Sequence, residues 1–227
     1  MPAPPPESLP AIVSAVRISI ECHYMSSLTA RGTVIQGSLV DRAARVSPFG
    51  GALRVASVAF GVALTAAAAQ FTMPVPFSAV PFALTPIAVL VTGMALGARL
   101  GAVTQALYLL AGMAGLAVFV PSATLPPGAA RLLGPTAGFL WAYPVAAFAT
   151  GWLAQRGWDR KYASSALAMI AGLAIIYVGG ASWYTATVTH SLRATLATSI
   201  IPFAPVDLAK ILIASAILPS IWKFTKP

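Results

Sequence analysis

From residue 53 to residue 224 the chain is a succession of six apolar runs of about 20 residues, with most lysines and arginines falling between them. A run of that length matches the hydrocarbon depth of a bilayer when coiled as an α-helix. Lipid offers no water to satisfy backbone N–H and C=O groups, so each run must close its own hydrogen bonds and therefore be helical. Composition agrees. Only 8% of residues are charged and 58% are hydrophobic, with mean hydropathy +0.83, whereas a soluble domain carries about 25% charged residues. The expected fold class is all-α, an integral membrane bundle of six transmembrane helices.

Prolines, glycines and charges punctuate the runs. The first span is read at about Leu53 to Thr72, followed by a proline-rich stretch, Met73 to Pro81, expected as a loop or broken helix. The second span runs from about Phe82 to Ala98 and the third from Leu100 to Val120. Gly93, Gly97 and Gly101 recur every fourth residue around Arg99, a spacing that lets two helices meet closely. Pro121 to Leu133 reads as a loop holding Arg131, and Gly134-Pro135-Thr136 opens the fourth span with proline in the first turn. That span ends near Ala154, before Arg156, Asp159, Arg160 and Lys161; the fifth covers Tyr162 to Tyr184. Thr185 to Ser199 is polar and Thr-rich, an interfacial segment between the fifth span and the sixth, Ala204 to Phe224.

Residues 1–48 form a separate N-terminal tail, disordered or interfacial, ahead of a membrane domain at 49–227. Met1 to Pro10 is proline-rich, and Ala11 to Ile20 is too short to span. Glu21, His23 and Arg31 interrupt any signal-peptide core.

Charge placement sets the orientation. With a cytoplasmic N-terminus, Arg42, Arg45, Arg54, Arg99, Arg156, Arg160, Lys161, Lys223 and Lys226 fall inside, and Arg131 and Arg193 fall outside. This positive-inside bias favours an even number of spans with both termini in the cytoplasm. The expected location is the inner (plasma) membrane of a bacterial cell, with lipid as the surrounding partner. The net charge of +9 is spread over helix ends, not gathered into an aromatic-basic patch, so no nucleic acid partner is expected.

Asp207 and Lys210 lie inside the sixth run, three residues apart and so on one helix face. A charge in lipid costs at least about 2.5–3.5 kcal/mol, which makes such a pair a functional candidate by default. Together they offer an acceptor and a donor near the outer face; the alternative is an ion pair that pins the last span to its neighbours. Enzyme constellations are missing: no paired carboxylates, metal-ligand spacing, nucleophile elbow or Walker motif. No metal or cofactor is expected, and the single cysteine, Cys22, excludes an internal disulfide. A channel or a secondary transporter is disfavoured by the asymmetric polar pair and the lack of an internal repeat.

Several segments, in this order and spacing, resemble the BioY family. They are Val80-Pro81-Phe82-Ala83-Leu84-Thr85-Pro86-Ile87-Ala88-Val89-Leu90, Leu96-Gly97-Ala98-Arg99-Leu100-Gly101-Ala102, Tyr108-Leu109-Leu110-Ala111-Gly112, Leu133-Gly134-Pro135-Thr136-Ala137-Gly138-Phe139 and Pro202-Phe203-Ala204-Pro205-Val206-Asp207-Leu208-Ala209-Lys210. The resemblance extends from about Ala52 to the C-terminus. It implies the biotin-binding membrane subunit (S component) of an energy-coupling-factor (ECF) vitamin transporter. Its implied partners are biotin, an ECF transmembrane subunit and two ATPase subunits. It also implies a biotin site near the extracellular face and a docking surface on the first helix. Small residues at every fourth position carry that docking, matched here by Ala59, Ala63 and Ala67; ordinary packing explains them equally. The family usually has threonine and glutamine at Ala83 and Thr85, and glycine and tyrosine at Ala137 and Phe139, so polar ligand contacts are lost if those positions touch the ligand. Another vitamin or a biotin precursor is the alternative cargo, and a small membrane enzyme is a more distant one.

Within that reading Asp207 accepts from the ureido N–H groups of biotin, and Lys210 donates to its carbonyl or pairs with its carboxylate. Gln70, Thr85 and Thr136 stand at outer helix ends, the threonines as helix caps or ligand contacts. Tyr108 stacks on the ligand or packs between helices, as Gln105 hydrogen-bonds between helices. Phe139 and Tyr143, at i and i+4, wall an apolar pocket or simply pack. Arg99 is assigned to docking or topology.

Overall fold

The computed structural model describes residues 37–75, 78–122 and 125–224. The expectations for residues 1–36, Cys22 and His23 among them, lie outside the described residues. Helix α1 is Leu39–Val46 and α2 is Gly50–Gln70. Strands β1, Thr72–Val75, and β2, Ser78–Ala83, precede α3, Thr85–Leu96, and α4, Ala98–Met113. A 3-10 turn at Ala129–Leu132 leads to α5, Ala137–Leu153, and α6, Tyr162–Tyr184. Helix α7, Leu192–Thr195, lies between two π-type turns, Thr185–Thr189 and Leu196–Ile200; then come α8, Ala204–Ala214, and α9, Ile217–Phe224. The molecule is an all-α membrane bundle carrying one small hairpin.

Four helical stretches are long and apolar enough to cross a membrane, Gly50–Gln70, Ala137–Trp158, Tyr162–Thr189 and Ala204–Lys223. The expected second and third spans are shorter helices of 12 and 16 residues. At 1.5 Å per residue they rise about 18 and 24 Å. The shortfall lies at one end, and the hairpin explains half of it. The proline-rich stretch expected as a loop or broken helix is an antiparallel pair, with Thr72 opposite Ala83, Met73 opposite Phe82 and an irregularity before Val75. Strand β2 consumes residues through Ala83, so α3 starts at Thr85 with a proline in its first turn, not at Phe82. Helix α4 stops at Met113, and Gly115 just beyond it takes φ +93°. The expected sixth span is two helices, interrupted at Ser215 and Ala216, where the Ser215 hydroxyl bonds back to Leu212 O at 2.9 Å.

At the other end, Gly97 alone joins α3 to α4. It has φ +85° and serves as C-cap of one and N-cap of the next, a conformation that favours glycine. The four-residue glycine spacing has the expected consequence: a Cβ on Gly101 would lie 2.8 Å from Gly93 Cα, so the two backbones touch. Helix α5 packs against α3, α4 and α6, and 61% of its most apolar stretch is buried, against 17% for α2. Helix α5 is therefore the centre of the bundle and α2 its periphery. Val89, Leu90 and Met94 of α3, Tyr143 of α5, and Met169, Leu173 and Ile176 of α6 belong to one core cluster. Helix α2 is tied in by a buried polar node, in which Gln105 Nε2 donates to Thr65 Oγ1 at 3.2 Å and Thr92 Oγ1 at 3.0 Å.

Residues 39–46, on the tail side of the expected boundary at 48, form a helix that packs on α2 and α3, with Arg54 paired to Asp41 at 3.6 Å. Nearby, Trp222 Nε1 donates to Asp159 Oδ2 at 2.6 Å, and the guanidinium groups of Arg42 and Arg160 lie 4.6 and 5.0 Å from the same indole. This end of the bundle collects the basic residues; the hairpin lies at the opposite end.

Candidate functional site

A cavity of about 370 Å³ opens at the hairpin end, within the range of small-molecule sites. Strand β2 supplies Val80, Pro81 and Ala83; α5 supplies Phe139, Leu140 and Tyr143; α6 supplies Tyr177; α8 supplies Asp207. Phe119, Arg131, Thr136 and Phe203 complete much of the wall. Glycines seat two of the aromatic rings. Any side chain at Gly180 would occupy the position of the Phe139 ring, and any at Gly112 that of Phe119.

Asp207 sits in the first turn of α8, where the positive end of the helix dipole favours an anion by about 0.3–1 kcal/mol. It is 8% exposed. Lys210 Nζ donates to its Oδ1 at 3.1 Å, and Tyr177 Oη donates to its Oδ2 at 2.7 Å. The same ammonium also donates to Ala83 O at 3.1 Å, which fastens the end of β2 to α8. Rings of Phe82 and Phe203, 4.5 Å apart, reinforce that junction. Each carboxylate oxygen is thus held by one donor and keeps lone pairs for a ligand on the cavity side. Arg131 donates from Nε to Pro126 O at 3.3 Å, and its two terminal nitrogens carry no hydrogen bond among the described residues. Partial burial lowers its pKa from the ordinary arginine value. The cavity therefore combines one oriented anion, one available cation and an aromatic, aliphatic wall. That set suits a small ligand with paired N–H donors, an apolar body and an acidic group. Among the described residues no group of three or more His, Cys, Asp or Glu side chains could hold a metal ion.

A family model described as the BioY family matches residues 41–227. The chain belongs to the BioY family. A biotin transporter BioY of Thermotoga maritima is 34% identical over 143 residues, covering 63% of this chain and 81% of that protein. A probable biotin transporter BioY of Pyrococcus horikoshii is 33% identical over 159 residues, covering 70% and 90%. The fold is similar to the crystal structure of the S-component for biotin from an ECF-type ABC transporter, with TM-score 0.69 and 22% identity over 78% of this chain and 95% of that one.

This BioY chain distributes the residues singled out from its sequence unevenly. Asp207, Thr136, Phe139 and Tyr143 line the cavity. Thr136 stands at the N-cap of α5 without a capping hydrogen bond from its side chain. Lys210 is not on the wall; it acts behind Asp207. Tyr108 is fully buried behind the wall, its ring edge-on to Phe119 and its hydroxyl donating to Val118 O at 3.1 Å. Thr85 is also buried off the wall, its hydroxyl without a partner among the described residues. Gln70 lines a smaller adjoining cavity. Arg99 is exposed at the opposite end, and Ala59, Ala63 and Ala67 lie on the exposed face of α2. The wall residues Tyr177, Arg131 and Phe203 were not singled out. Tyr177 is a neutral side chain inside an apolar run, with nothing local to mark it, whereas Arg131 was legible as a rare cation on the less basic side.

Proposed function

We propose that this chain is the biotin-binding S component of an ECF transporter: it captures biotin outside the cell and hands it to an energy-coupling module. The observation that carries the reading is the oriented Asp207 carboxylate on the cavity wall of a BioY-family chain. Ureido N–H groups donate to Asp207, the thioether ring packs among Phe139, Tyr143 and Phe203, and the valerate carboxylate pairs with Arg131. Charge-assisted contacts of this kind are about twice as strong as neutral ones.

Placing the cavity outside rests on charge. Arg54, Arg99, Arg156, Arg160 and Lys161 all lie at helix ends remote from it, which makes that end cytoplasmic, with both termini there, in the inner membrane of a bacterial cell. The coupling module comprises a transmembrane subunit and two ATPases. The exposed small-residue face of α2, with Ala59 and Ala63, is where the transmembrane subunit docks, and Arg99 flanks it.

The test is binding without turnover. Purified protein titrated with biotin gains thermal stability that rises with ligand concentration as linkage requires, and biotin is recovered unchanged. Competition with dethiobiotin and other vitamins ranks the cargo. A shift with another vitamin and none with biotin would overturn the reading.

A further inference from the structure

A second cavity of about 230 Å³ adjoins the first. Phe119, Pro121, Ser122, Leu125 and Arg131 line both, so the two compartments are contiguous along that side. Arg131 stands on that shared side, and it is the residue assigned above to the acidic end of the ligand. The chemistry of the second compartment differs from that of the first. Gln70 Nε2 donates to Ala117 O at 3.3 Å and Phe119 O at 3.4 Å, pinning that loop to the end of α2. The Gln70 amide oxygen carries no hydrogen bond among the described residues. The Arg131 cation, the Gln70 amide and Leu116 thus line the same compartment.

A free carboxylate ends at Arg131 and leaves this space unused. A ligand extended through its carboxyl group fills it. We infer that the site also takes biotin joined by an amide bond to the side-chain amine of an amino acid such as lysine, which leaves the α-carboxylate and α-ammonium free, with the appended amino acid in the second compartment. Its carboxylate pairs with the terminal nitrogens of Arg131, and its ammonium donates to Gln70 Oε1. Both charges of the appended group then meet complementary partners, whereas an extension by an uncharged alkyl amine supplies neither charge. The inference rests on the biotin reading above and extends it to a class of conjugates.

Biotinyl-lysine is the probe, competing with radiolabelled biotin on the purified full-length protein. Expected is displacement with an inhibition constant within about tenfold of the biotin Kd. Leu116→Trp and Ala117→Trp, which fill the second compartment, should weaken biotinyl-lysine at least tenfold and leave the biotin Kd within threefold. Failure of a thousandfold excess of biotinyl-lysine to displace biotin overturns the inference and leaves the biotin reading intact. Displacement equally strong in both variants also overturns it, since the appended group then points into solvent. Absence of biotin binding to the wild-type chain overturns both.

Discussion

The Tyr177 hydroxyl donates to Asp207 Oδ2 across 2.7 Å, joining α6 to α8 at the cavity wall. Lys210 holds the other oxygen at 3.1 Å. Two donors on two sides fix the plane of the carboxylate before a ligand arrives, so ordering it costs nothing on binding.

Tyr177→Phe keeps the ring and removes the donor. A hydrogen bond to a charged group contributes about 1.5–3 kcal/mol to folded stability, and this one is made before the ligand arrives. Its loss should lower the melting temperature, while the less firmly oriented carboxylate binds biotin roughly tenfold more weakly by isothermal titration. Affinity within twofold of wild type would show that Tyr177 does not position Asp207.

Lys210→Met should do more damage than a lost contact. It leaves Asp207 without its counter-ion and releases Ala83 O, loosening the end of β2 from α8. Breaking a buried pair costs about 3–5 kcal/mol, less here because the ammonium keeps some access to solvent. Expected are a lower melting temperature and a large loss of biotin affinity. Asp207→Asn should reproduce the affinity loss with a smaller loss of stability, because the hairpin tether survives.

Thr85→Val is the opposite case. The buried hydroxyl has no partner among the described residues, and an unsatisfied buried group costs about 1–3 kcal/mol. The isosteric change should raise the melting temperature and leave the biotin Kd alone. A drop in affinity would place Thr85 in ligand contact after all.

Asp159 gives a pH signature at the basic end. Burial raises its carboxyl above the usual carboxylate range, opposed by the Trp222 hydrogen bond and by Arg160 and Arg42. A carboxyl whose folded pKa is raised holds its proton more tightly folded than unfolded, so its contribution is fully present below about pH 4 and fades as pH rises through the raised value. Wild-type protein should therefore lose melting temperature relative to Asp159→Asn on going from about pH 4 to neutrality. Parallel curves would contradict this.

Ala59→Trp and Ala63→Trp add bulk to the exposed face of α2, away from the cavity. Biotin binding should persist while uptake with the coupling module is lost, measured as accumulation in cells beside binding to purified protein. Retained uptake would move the docking face elsewhere.

Much of this molecule was legible in the sequence because it depends on local rules. Helix geometry puts Asp207 and Lys210 one turn apart wherever α8 lies, and the cost of charge in lipid makes the pair conspicuous. The four-residue glycine spacing around Gly97 forecast the close meeting of α3 and α4, since small residues at that period act through backbone approach alone. Proline marked the break after α2 but not its form: both a loop and a hairpin accommodate prolines, and the choice fell to the pairing of β1 with β2. What only the tertiary structure decided are partners distant along the chain. Lys210 reaches back 127 residues to Ala83 O, Tyr177 meets Asp207 because α6 and α8 pack together, and Tyr108 and Thr85 turn away from the cavity because α4 and the start of α3 are rotated toward the core. Such contacts follow from how the helices sit against one another, a sum of many small packing energies that no single segment encodes.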